Sequence, residues 1–290
     1  VDQAVDPINE LTVAYHQLIN ETGPAKAKEL LNQLEFHPVF TAHPTEARRK
    51  AVEGKIRRVS ELLEEYKRLG GSDKKECLRR LYNEIDALFR TSPIALKKPT
   101  PVEEADTILD IFDNTLFNTI PKVYRRFDDW VLGDKAGLVE PACPAFFHPG
   151  SWIGSDRDGN PNVTAKVSRA VARQRTKEAE TTPPSAELKN LWSHQKEMSE
   201  RLTDKAALIS TKEMHRAVML VMADRLHYTI ERDADLMYHS CDNFLADLKV
   251  VQRSLAAAGA KRSAYGPLQD LIWQTETFGF HMVEMEFRQH

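Results

Sequence analysis

Residues 39–50 read VFTAHPTEARRK, and they bring one titratable imidazole within a few residues of three cations. A residue that precedes proline is pushed out of the helical region, so a short apolar run ending at Phe40 or Thr41 would carry His43 to a strand tip. Pro44 suits the first position of a helix, where its missing N–H costs nothing. The free backbone donors of such a helix start attract anions, and Arg48, Arg49 and Lys50 add charge of the right sign. The chemistry on offer is proton transfer beside a small anion. The same features also fit a turn histidine next to a solvated basic helix face.

Two further stretches have the same construction. AFFHPGSWIGSD (145–156) runs into Asp156, Arg157 and Asp158, and TFGFHMVEMEFRQH (277–290) runs into Arg288. Each is short, partly aromatic or β-branched, and bounded by glycine or proline, which predicts a strand. In barrels of parallel strands the active site lies at the carboxyl ends of the strands. Three strands whose tips are all ionic therefore predict one shared rim. The intervals between them are several times the roughly 30 residues of a plain strand-helix-strand unit, so large helical excursions must lie between.

Most of the remainder reads as helix. Val52, Ile56, Val59, Leu63 and Tyr66 alternate spacings of four and three up to Gly70-Gly71. Leu78, Leu81, Ile85 and Leu88 repeat that period on a second helix. Thr100-Pro101-Val102-Glu103 forms a capping box for a helix carrying Ile108, Leu109, Phe112 and Leu116, and Pro121 is expected to restart the helix that bears Val123, Phe127 and Trp130. A helix from Thr164 to about Glu180 should break at TTPPS (181–185) and resume near Glu187. Ser210 to Glu213 caps a later segment, and Ala256 to Gly259 ends another. His215, His227 and His239 recur every twelve residues, which is not a ligand spacing on one helix face, so they read as surface or packing histidines. The fold class is mainly α with a few parallel β-strands.

Composition narrows the partners. The 290 residues are 41% hydrophobic and 29% charged, with no run near the roughly 18 apolar residues of a membrane span. A net charge of −3 argues against bulk nucleic-acid binding. Cys77, Cys143 and Cys241 are far apart without metal-ligand spacing, and read as free thiols of a reducing cytoplasm. The start, VDQAVDPINELTV, lacks the layout of a secretory signal.

These stretches also carry a family resemblance. TAHPTEARRK resembles the histidine motif of the phosphoenolpyruvate carboxylases, and GSWIGSDRDGNPNVT (150–164) resembles their second long motif. KPTPVEEA (98–105) and FDNTLFNTIPKVYRRFD (112–128) are similar to the helical segment between, and FGFHMVEMEFRQ (278–289) to the strand ending in the family's arginine-glutamine pair. The four matches fall in the family's order, whereas the helices from about 185 to 260 resemble nothing so closely.

The resemblance implies a cytoplasmic lyase that joins bicarbonate to phosphoenolpyruvate, giving oxaloacetate and phosphate with Mg²⁺ or Mn²⁺, assembled as a regulated homotetramer. It implies a helix-rich (β/α)8 TIM-type barrel, of which residues 1–290 would be the amino-terminal portion with about three of eight strands. By the same resemblance His43 is the catalytic histidine, Arg288 and Arg157 bind substrate, and Arg48 and Arg49 bind substrate or a regulator anion, or pair with neighbouring helices. Asp156 and Asp158 support the rim. The metal ligands and the glycine-rich catalytic loop are expected outside this chain, so that the isolated fragment is inactive. Ser155 stands where the family usually has glycine, and 171–187 reads as shorter than the family's connection, as if residues were deleted or left out. The competing reading is a non-catalytic helical scaffold, or an anion-regulator domain, that retains the motifs.

Overall fold

A computed structural model describes residues 10–40, 50–92, 109, 111–151, 182–199, 202, 213–281 and 284–285. The chain forms two compact units. One comprises Val1–Val39, Phe112–Ser151 and Arg157–His290, and the other Phe40–Ile111 with Trp152–Asp156.

The smaller unit is built on a helical hairpin, α3 (Lys50–Arg68) and α4 (Gly71–Phe89), preceded in sequence by α1 (Glu10–Thr22) and α2 (Pro24–Leu31) of the larger unit. Gly71 takes φ +59, a left-handed conformation that glycine adopts without steric cost, and so allows the tight reversal. Leu62, Cys77 and Leu81 are buried in the seam, with Val59, Tyr66, Leu69 and Leu78 packed on them. The apolar stripes expected on these helices are wider than that seam: Ile56, Leu63 and Ile85 stay 44–46% exposed. Two helices alone cover only the facing sector of each other. Arg58 pairs with Glu84 at 3.4 Å and Arg80 with Glu65 at 3.3 Å, so one ion pair runs in each direction across the hairpin.

In the larger unit the core is helical. α5 (Phe117–Leu132), α6 (Ala186–Met198), α7 (Met214–Glu231), α8 (Cys241–Ala257), the short α9 (Lys261–Tyr265) and α10 (Pro267–Phe278) follow one another. Val218, Val221, Met222 and Leu226 of α7 are fully buried, as are Phe244, Leu248 and Val251 of α8 and Leu268, Leu271 and Trp273 of α10. The sets on α7 and α8 follow the spacing of one helix face, whereas α10 also buries Gln269, Ile272 and Thr275 and is covered on more than one side. The ends follow local rules: Ser185 Oγ accepts the Leu188 N–H at 3.1 Å, Ser240 Oγ accepts that of Asn243 at 3.2 Å, and Gly259 at φ +84 closes α8 where expected. Of the cap expected over 210–213 only Glu213 is among the described residues; α7 starts at Met214, and Glu213 at its N-cap makes no side-chain cap bond. Gly266 is boxed in, because a Cβ there would meet the Arg262 carbonyl oxygen at 2.3 Å.

One sequence expectation is corrected. Pro121 does not restart a helix; it lies inside α5, which continues from a π-helical turn at Phe112–Leu116. A proline inside a helix leaves the carbonyl four residues earlier without its donor, at a cost of about 3 kcal/mol. That carbonyl belongs to Phe117, and Gln274 of α10 donates its side-chain N–H to it at 2.8 Å. The tertiary partner removes the reason for a break.

All three predicted strands exist: β1 (Val39–Phe40), β2 (Gly150–Ser151) and β3 (Glu284–Met285), in the sheet order β1-β2-β3. β2 and β3 are parallel, with Gly150 opposite Glu284 and Ser151 opposite Met285. Ahead of β1 and β2, Phe36 and Phe147 form a parallel bridge. Its bonds run from Phe36 N–H to the Phe146 carbonyl at 2.7 Å and from His148 N–H to the Phe36 carbonyl at 2.8 Å.

Candidate active site

The residues singled out from the sequence, His43, Arg48, Arg49, Asp156, Arg157, Asp158 and Arg288, all lie outside the described residues. So do the capping box at 100–103 and the helix expected over 164–180. In sequence His43 follows the end of β1 by three residues, and Arg288 follows the end of β3 by three. What the structure describes is how the strands leading to Arg157 and Arg288 are held.

A single stretch of α5 holds both approaches. Tyr124 is fully buried, its ring edge-on to Phe146 and Trp273 at 5.0 and 5.5 Å. Its hydroxyl accepts the Phe147 N–H at 3.2 Å, just ahead of β2, and shares a hydrogen bond of 2.8 Å with the Thr277 hydroxyl, where α10 gives way to the path toward β3. Burial pushes the Tyr124 phenol up to about 12, so it stays protonated at any working pH. One residue on, the Arg125 guanidinium donates to the carbonyls of Tyr265 (2.7 Å) and Gly266 (3.0 Å) and to Asp270 Oδ1 (2.5 Å), and lies over the Trp273 ring at 4.8 Å. The Trp273 indole N–H in turn donates to the Cys143 carbonyl at 3.3 Å.

Asp128 completes the set. It is buried, and its Oδ1 accepts the backbone N–H groups of Ala142 (2.8 Å) and Cys143 (3.0 Å), fixing the segment that enters β2. Burial raises its pKa despite those two bonds and the nearby Arg125 charge, all of which act to lower it. Because the folded-state value lies above the ordinary 3.8, the carboxylate's contribution to stability is greatest below that value and falls as pH rises through the shifted one. Asparagine keeps an oxygen for both N–H groups and carries no charge. Asp128→Asn is therefore expected to match or exceed the parent in stability at pH 7, with the difference vanishing as pH falls toward 4. Urea unfolding at pH 4.5, 5.5 and 7 checks it, and a variant weaker than the parent at pH 7 would refute it.

Sequence reasoning passed over Tyr124, Arg125 and Asp128. A signal was present, since Ile120, Tyr124, Phe127 and Asp128 share one apolar helix face, and a tyrosine or aspartate there must find a partner. The other polar candidates are packing groups: His215 is buried with its Nε2 2.9 Å from Ser254 Oγ, and the exposed His227 pairs with Glu231 at 3.1 Å. The thiols of Cys77, Cys143 and Cys241 are free, and burial pushes those of Cys143 and Cys241 up, away from nucleophilic use. Among the described residues no three His, Cys, Asp or Glu side chains come together as a group that could hold a metal ion. Nor is any described helix long and apolar enough to cross a membrane.

The described residues form a helix-rich chain with a small sheet in which β2 and β3 are parallel, and each strand is followed in sequence by charged or titratable residues. Residues 2–290 match the family model described as phosphoenolpyruvate carboxylase. The chain is 33% identical to a phosphoenolpyruvate carboxylase of Roseiflexus castenholzii over 296 residues, 91% of this chain and 31% of the relative. It is 31% identical over 307 residues to that of Trichormus variabilis (92% of this chain, 30% of the relative), and 30% identical over 337 residues to that of a Synechococcus strain (99% and 32%). The chain belongs to the phosphoenolpyruvate carboxylase family. It spans about a third of the length of the curated relatives it matches.

Proposed function

We propose that this chain is part of a lyase that carboxylates phosphoenolpyruvate with bicarbonate, giving oxaloacetate and inorganic phosphate. The family match over residues 2–290 carries the reading. A bicarbonate oxygen attacks phosphorus, the bond from phosphorus to the enol oxygen breaks, and carboxyphosphate and the enolate of pyruvate result. His43 accepts the carboxyphosphate proton as the C–O bond to phosphate breaks, releasing CO₂ and phosphate. The enolate carbon then attacks CO₂, and its electron pair becomes the new C–C bond. Arg288 and Arg157 hold the phosphate and carboxylate of the substrate, where a guanidinium fork binds two oxygens at once. Asp156 and Asp158 fix Arg157, and Arg48 and Arg49 bind substrate or a regulator anion.

The fold of the whole protein is a helix-rich (β/α)8 barrel to which β1, β2 and β3 contribute three strands, and the enzyme is a cytoplasmic homotetramer. Mg²⁺ or Mn²⁺, bound by residues outside this chain, supplies the charge that stabilises an enolate. Supporting the barrel reading are the parallel pairing of β2 with β3 and the strand order β1-β2-β3.

The test is oxaloacetate formation from phosphoenolpyruvate, bicarbonate and Mg²⁺, coupled to malate dehydrogenase. The 290-residue chain alone is expected to be inactive, and a chain extended by the remaining two thirds of the family's length is expected to turn over. A failure of the extended chain would favour a helical scaffold instead.

A further inference from the structure

We propose that Tyr124 is a positioning residue of the carboxylase, one that sets β2 against β3 by standing in for a missing rung of the sheet. The inference rests on the functional reading above, because it takes Arg157 and Arg288 as the substrate-binding residues that these strands precede.

The argument starts from the alternation of a strand. Backbone groups of successive residues point to opposite edges. Phe146 and His148 spend their carbonyl and N–H on Phe36, and Gly150 N–H donates to the Pro38 carbonyl at 2.9 Å, so this parity faces β1. The N–H of Phe147 therefore faces the β3 edge. In the observed register, with Gly150 opposite Glu284, the position opposite Phe147 is His281, which lies in a turn and not in a strand. Pro149, the next residue of that parity, has no N–H to give. The only backbone donor of 147–149 on that edge thus meets the Tyr124 hydroxyl at 3.2 Å instead of a strand. The same hydroxyl binds Thr277, two residues before Gly279, whose φ of +53 turns the chain from α10 toward β3. One phenol oxygen thereby ties the approach of β2 to the approach of β3. Buried and gripped by Phe146 and Trp273, it has little freedom to follow either strand if they slide.

Arg157 and Arg288 are assigned to hold substrate and not to transfer a proton, so a change in the offset between β2 and β3 should reach binding more than chemistry. The experiment uses Tyr124→Phe, Thr277→Val and the double variant. Amide exchange at Phe147 is read in the 290-residue chain, and kcat and KM for phosphoenolpyruvate in the extended, active chain. Tyr124→Phe keeps the ring and removes only the oxygen. It is expected to speed Phe147 exchange on the order of tenfold, and to raise KM several-fold with kcat nearly unchanged. The double variant should resemble Tyr124→Phe alone, because both substitutions break one linkage. Unchanged exchange at Phe147 would overturn the proposal, and so would faster exchange with KM unmoved, which would make Tyr124 a structural brace only. Absence of oxaloacetate from the unsubstituted extended chain would instead overturn the carboxylase reading, a failure that the unsubstituted control tells apart from the others.

Discussion

Replacing Asp247 by alanine should destabilise the larger unit by about 3–5 kcal/mol, the usual cost of leaving a buried charge without its partner. Arg225 of α7 and Asp247 of α8 are only 10% and 16% exposed in their side chains, with Nη1 and Oδ2 3.3 Å apart. Tyr238 donates its hydroxyl to the same carboxylate oxygen at 2.8 Å, and the Arg225 guanidinium lies 3.8 Å from the Tyr238 ring centre. The remaining guanidinium donors reach the carbonyls of Leu236 and Met237 at 3.4 Å, which pins the connection between the two helices. Alanine would strand the guanidinium and the phenol together. Burial raises the Asp247 pKa against the opposing pull of Tyr238 and Arg225, so desolvation offsets part of what the pairing contributes. Asp247→Asn, which keeps an acceptor for Tyr238, should therefore cost clearly less than Asp247→Ala, and replacing Arg225, Tyr238 and Asp247 together by apolar residues less than Asp247→Ala alone. Chemical unfolding of the variants gives the order. Equal losses for alanine and asparagine would show that the charge itself, and not the buried hydrogen bonds, dominates.

Turnover of the extended chain should fall about 10²- to 10⁴-fold when His43 becomes asparagine, the range that a positioned general base contributes. Asparagine can still hydrogen-bond but cannot accept a proton near neutrality, whereas imidazole titrates there. The loss should appear in kcat, with KM for phosphoenolpyruvate little changed, because the substrate anions are assigned to Arg288 and Arg157. Steady-state rates at saturating bicarbonate decide it. A variant that loses KM instead would move His43 from proton transfer to binding.

Periodicity and punctuation alone placed α3, α4 and the end of α8, and the short aromatic or β-branched runs bounded by glycine or proline located all three strands. These features are local: a cap, a φ restriction or an apolar repeat acts within a few residues, so the sequence states them directly. The same locality explains where reading failed. Pro121 looks like a boundary because its neighbours in sequence offer no donor for the Phe117 carbonyl; Gln274 supplies one from across the fold. Ile56 and Leu63 sit on an apolar stripe as regular as that of any core helix, yet a hairpin seam admits only part of it. Tyr124 and Asp128 went unread, although they share an apolar helix face with Ile120 and Phe127, and nothing near them in sequence states what they bind.

By itself, then, the sequence determined the helical content, the three strand positions and the family motifs, through short-range sterics and residue types. Only the tertiary structure decided that one face of α5 braces the approaches to both β2 and β3. Phe147, Thr277, Ala142 and Cys143 meet that face from positions far along the chain, and hydrogen bonds between distant segments leave no periodic mark on the residues that make them.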